Sequence, residues 1–172
     1  MSITYLGDIR YIVSNARSAK DKLDTAIGIY LAIEMAKELG IEGADTAGYV
    51  KIFHNFEEYT IMKVAEEYNI EINDEMTMTE KHNKIEQVML SAEKRIEFDH
   101  IFNKILAEKC GIEGFDKMSK AELDKGINIY FHRKVGRKLG VKGVYNMDID
   151  KLKDQIRKHF PQSEVQKILN NP

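Results

Sequence analysis

Gly40-Ile41-Glu42-Gly43 recurs unchanged at Gly111-Ile112-Glu113-Gly114 and, with conservative changes, at Gly140-Val141-Lys142-Gly143. The match continues on both sides in fixed register. Four residues after the second glycine stand Ala47, Met118 and Met147, and nine after it Ile52, Leu123 and Leu152. Upstream, Tyr30, Ile101 and Tyr130 align, as do Met35, Leu106 and Val135. Glycine takes the left-handed backbone without steric cost, which is what a helix end often requires. Gly40, Gly111 and Gly140 stand where that residue belongs, and the Ile or Val that follows can fold back onto the last turn. The second glycines, Gly43, Gly114 and Gly143, let the chain reverse closely. The pattern predicts a helix, a glycine-bounded turn and a second helix, used three times.

Working outward, helical periodicity dominates. Leu23, Ile27, Tyr30 and Ile33 form one stripe, and Val88, Ala92, Ile96, Phe98, Ile101, Ile105 and Leu106 form a broader face. The spacing predicts helices over 6–16, 19–40, 45–54, 57–69, 80–110, 119–139, 148–159 and 162–170. Thr77 ahead of Glu80 reads as a hydroxyl cap with an acid just inside the helix. Tyr68-Asn69-Ile70-Glu71-Ile72 alternates briefly and is the one strand-like stretch. The expected fold is an all-α multi-helix bundle built from three related corners. Its expected organisation is an acidic helical half over 1–72, a connecting segment and long central helix over 73–100, and a basic helical half over 101–172. Residues 70–78 are the linker candidate, and the halves can also pack as one domain.

Composition narrows the function classes. At 43% hydrophobic with a net charge of −2, the chain lacks the signature of disorder. A single cysteine, Cys110, forbids an internal disulfide and fits a reducing compartment. The longest apolar run, Ile27 to Ile33, is far short of a membrane span, which takes about 20 residues. The start of the chain does not read as a signal peptide, so a cytoplasmic location and no membrane partner are expected. The small net charge hides an asymmetry. Residues 1–100 carry 11 Lys+Arg and 19 Asp+Glu, whereas residues 101–172 carry 15 and 9. Between Lys125 and Lys142 there are Lys125, Arg133, Lys134, Arg137, Lys138 and Lys142, with His132 beside them and no acid. Such a split suits an anionic partner for the basic half, attraction between the halves, or head-to-tail joining of copies.

The second and third corners, with their flanking helices over 104–127 and 133–156, carry a further likeness. Gly111-Ile112-Glu113-Gly114-Phe115-Asp116-Lys117-Met118-Ser119-Lys120-Ala121-Glu122-Leu123 and its counterpart Gly140 to Leu152 resemble the helix–extended loop–helix motif of the Rho terminator N-terminal region and the SAP and LEM modules. The resemblance implies nucleic-acid contact through the loop and the start of the second helix, or, in some members, protein contact. The first corner departs from it, with Ala47 in place of Met and no lysine-rich loop. The candidate nucleic-acid-binding residues are Lys117, Lys120, Arg133, Lys134, Arg137, Lys138, Lys142 and Lys151.

Other constellations point to chemistry. Glu97-x-x-His100 has the spacing of one half of a carboxylate-bridged di-iron site. Arg95-x4-His100 has the spacing of the ribonuclease motif of HEPN domains, where arginine holds phosphate and histidine moves protons. Neither has its full complement here: no second Glu-x-x-His exists, and Ile96 follows Arg95 where a polar residue is usual. Cys110 aligns with Leu39 and Leu139 and reads as a buried apolar position. No catalytic or metal-ligating set and no cofactor are expected. The resulting expectation is a non-enzymatic protein that binds nucleic acid, with no base-reading set, through its basic half. The alternatives are a protein-interaction module, such as an adaptor, inhibitor or assembly factor, using its opposed charges, and an HEPN-like ribonuclease or di-iron bundle. A homo-oligomer held by opposite charges belongs with the second.

Overall fold

The computed structural model describes residues 6–91 and 98–172. These form eight α-helices: α1 (Leu6–Asn15), α2 (Ala19–Glu38), α3 (Tyr49–Glu67), α4 (Met78–Ser91), α5 (Phe98–Lys109), α6 (Lys120–Lys138), α7 (Ile149–His159) and α8 (Gln162–Leu169). No strand occurs among the described residues, and the chain is an all-α multi-helix bundle.

Each glycine corner closes in the same way. Gly40, Gly111 and Gly140 have φ of 72°, 67° and 78° directly after a helix. The following amides reach back five residues: Ile41 N–H donates to Ala36 C=O (3.0 Å), Ile112 to Ala107 (2.9 Å) and Val141 to Gly136 (2.9 Å). The glycine amides donate to Lys37, Glu108 and Arg137 at 3.1, 3.0 and 3.1 Å. Two otherwise orphaned carbonyls are thereby satisfied at each of these three helix ends, which is the Schellman arrangement. The second glycines are left-handed as well, and the amides of Thr46, Lys117 and Asn146 each donate back to them within a tight turn. The next helix then starts at a cap: Ser119 and Glu122 form a reciprocal capping box, and Asp148 accepts from Lys151 N–H.

The structure differs from the sequence reading in two places, α3 and Tyr68–Ile72. The expected helices 45–54 and 57–69 are one helix, α3, because Ile52, Phe56, Thr60 and Val64 keep one buried stripe and no glycine or proline intervenes. Where it is described, the expected helix over 80–110 is helical, in α4 and α5; the stretch 92–97 lies outside the described residues. Tyr68–Ile72 is not a strand but a fourth corner. Asn69 is left-handed (φ 53°), Ile70 N–H donates to Ala65 C=O at 2.8 Å, and Ile70 is buried. Asparagine is the residue that tolerates this conformation best after glycine. Thr77 and Glu80 then exchange cap hydrogen bonds (2.7 and 3.3 Å), as the sequence suggested.

The shift along the chain that takes Gly40 to Gly111 also takes Asn69 to Gly140. It carries α2–α3–α4 onto α5–α6–α7, with buried positions matching: Ala36 with Ala107, Ile52 with Leu123, Phe56 with Ile127, Val64 with Val135 and Ile85 with Ile156. The two trios pack crosswise, α2 on α6 and α3 on α5. Between them lies one core cluster, which includes Ala36, Ile52, Phe56, Phe102, Leu106, Leu123, Ile127 and Phe131. A second cluster forms where α8 lies along α2 and α7 along α6. A third, smaller one joins α3 to α4.

Candidate nucleic-acid interface

Helix α6 carries most of the sequence-predicted site. Leu123, Ile127, Phe131 and Val135 turn into the core, which leaves Tyr130, Arg133, Lys134, Arg137 and Lys138 on the outer side. The structure divides these cations into two sets. Lys138 Nζ lies 2.7 Å from Glu34 Oε2, and Lys134 bonds Glu38 and lies 3.6 Å from Glu34. Lys37 completes the cluster at 3.1 Å from Glu34 and pairs with Asp45. The Glu34 side chain has no exposed surface. Burial pushes its carboxyl pKa up, but hydrogen bonds from Lys138 and Lys37 outweigh that and hold it below its usual value. Lys134 and Lys138 therefore dock the basic helix onto the acidic one.

Arg133 and Arg137 behave differently. Among the described residues neither meets a carboxylate. Both hold Tyr145, in the short 3₁₀ turn Val144–Asn146 of the third corner. The Arg133 guanidinium stands 5.3 Å from the Tyr145 ring centre, and its Nη2 donates to the Tyr145 carbonyl at 3.5 Å. Arg137 Nη1 donates to the Tyr145 hydroxyl at 3.2 Å. Arg133 Nε is buried without a hydrogen-bond partner. Tyr145 itself is 61% exposed. Beside it runs a groove of about 750 Å³, with Ile112, Gly126 and Ile129 in its apolar lining and Arg133, Lys134, Arg137, Lys138 and Tyr145 in its polar lining.

The remaining candidates are exposed but do not line this groove. Lys142, in the third corner, and Lys151, in the first turn of α7, are exposed near Tyr145 in the chain. Lys117 and Lys120 are exposed at the opposite end of α6, whose 19 residues span about 28 Å. The eight cations thus form no single patch. Sequence reasoning missed Tyr145, Glu34 and Glu38. A usable signal existed for Tyr145: two residues after the second corner position the other corners carry Asp45, Asp74 and Asp116.

On the first trio the equivalent surface has the opposite sign. Glu66, Glu67, Glu71 and Glu80 stand where Arg137, Lys138, Lys142 and Lys151 stand on the second. All four glutamates are exposed.

The chemical constellations gain nothing further. Arg95 and Glu97 lie outside the described residues, so neither the HEPN-like nor the di-iron spacing has a described geometry. Among the described residues no group of three His, Cys, Asp or Glu side chains could hold a metal ion. Burial pushes the Cys110 thiol up to about 11, so it stays protonated near neutrality and is a poor nucleophile. No described helix is long and apolar enough to cross a membrane.

Fold and groove together define an all-α bundle with an arginine–tyrosine surface on its second trio. No protein-family model matches the chain, and no curated protein or solved structure matches it either.

Proposed function

We propose that this is a non-enzymatic, nucleic-acid-associated protein that holds phosphates at Arg133 and Arg137, with Lys142 and Lys151 alongside and Lys117 and Lys120 reaching further along the strand. The observation that carries the reading is the arginine pair itself. In the same run of α6, Lys134 and Lys138 are neutralised by Glu38 and Glu34, whereas Arg133 and Arg137 meet no described acid; all four line the open groove. Arginine's planar fork suits phosphate oxygens. No side chains in the groove form a set suited to reading base edges, so affinity should depend little on sequence. Titrating labelled single- and double-stranded oligonucleotides at two salt concentrations tests this. With three phosphate contacts, affinity should fall roughly 20- to 40-fold between about 50 and 200 mM salt. A flat titration at the lower salt, with folding verified by circular dichroism, overturns the reading.

A second reading, a protein-interaction module, is favoured by the charge reversal between equivalent corners. The basic corner of one copy suits the acidic corner of another, a heterologous contact that builds rings or open chains. Light scattering at low salt distinguishes it. Association that salt dissolves and Arg137→Glu removes, with no oligonucleotide binding, supports this alternative.

A further inference from the structure

We infer that the strand taken by this groove is single, with one base stacked on Tyr145; this rests on the nucleic-acid reading above. Three corners place an aspartate two residues after the second corner position (Asp45, Asp74 and Asp116), so the corner needs no aromatic there. In the third corner the same place holds Tyr145, left 61% exposed. An exposed aromatic gains little from folding, so core packing does not account for it. The exchange also removes a negative charge from beside Arg133 and Arg137.

The ring is held rather than loose. Arg133 lies against it and Arg137 holds its hydroxyl at 3.2 Å. A clamped aromatic beside a cationic groove is the arrangement with which proteins bind single strands: bases stack on the ring, and cations follow the backbone. The apolar side formed by Ile112 and Ile129 gives an unstacked base a second surface, and Gly126 adds no side chain there. A duplex cannot use the platform without first unstacking a base, which costs a few kcal/mol.

The test compares one labelled strand of about 12 nucleotides with the same strand annealed to its complement, against wild type, Tyr145→Ala, Tyr145→Asp and Tyr145→Phe. We expect the single strand to bind more tightly than the duplex. Alanine and aspartate should weaken single-strand binding by about fivefold or more and leave duplex binding nearly unchanged in the alanine variant. Phenylalanine keeps the ring and should bind nearly as wild type, which separates stacking from the hydroxyl bond to Arg137. Tyr145→Asp places the residue of the other corners there, and circular dichroism checks that each variant is folded. Equal affinity for both forms, or single-strand binding indifferent to alanine, overturns this inference and leaves phosphate binding standing. Binding of neither form overturns both.

Discussion

Glu34 shows how one residue decides which cations are free. It is buried among Lys37, Lys134 and Lys138, and the charged groups reaching it come from both trios. Removing Glu34 leaves Lys138 without its carboxylate, while Lys37 keeps Asp45 and Lys134 keeps Glu38; breaking a fully buried pair costs about 3–5 kcal/mol. Lys138 is 42% exposed, so solvent screens part of that, and Glu34→Ala should cost about 2–3 kcal/mol in urea unfolding. The pH dependence follows from the lowered carboxyl pKa. The unfolded carboxyl titrates near 4.5, the folded one below it. The stabilisation is therefore complete above 4.5 and is lost as pH falls through the folded value. Glu34→Gln should flatten the loss of stability in that acid window and leave its slope near neutrality unchanged. The sequence displayed the basic run of α6 but not this outcome, because the ion pairs join residues 96 and 104 positions apart. Arg133 and Arg137 were legible as charges. Their grip on Tyr145 depends on the path of the third corner and was not.

At the scale of elements, the glycine corners were the most legible feature because their cause is local. A left-handed residue after a helix is a steric demand, and glycine meets it at Gly40, Gly111 and Gly140. The fourth corner escaped because Asn69 meets the same demand within an alternation that suits a strand equally well. The fusion of two expected helices into α3 escaped for a different reason: Ile52, Phe56 and Val64 are bound by tertiary packing, which local polarity at His54 and Asn55 does not disclose. Asn69 also sets an order among substitutions. Gly111→Val should destabilise by roughly 1–2 kcal/mol or more, since a β-branched residue fits left-handed geometry poorly. Gly111→Asn should cost clearly less. Chemical denaturation of both variants measures the difference, and equal losses would contradict the shared geometry of the four corners.

At the scale of the whole molecule, the charge asymmetry has an internal use and an external remainder. Lys134, Lys138 and Arg157 cross from the second trio to Glu38, Glu34 and Asp24 of α2, Arg157 at 2.7 Å. Part of the opposition between the halves is thus consumed in joining them. What remains is a basic corner at Arg137, Lys142 and Lys151 and an acidic one at Glu67, Glu71 and Glu80. In the proposed function, nucleic-acid phosphates meet this basic side at Arg133 and Arg137. The most direct measurement is the slope of log affinity against log salt for a single-stranded oligonucleotide, in wild type and in Arg133→Gln/Arg137→Gln. Each lost phosphate contact should flatten the slope by about 0.7, so the double variant should lose about 1.4 and bind more weakly to every sequence. Lys138→Gln, which breaks the pair with Glu34, should leave the slope where it was. An unchanged slope in the double variant, with its fold intact, would contradict the account.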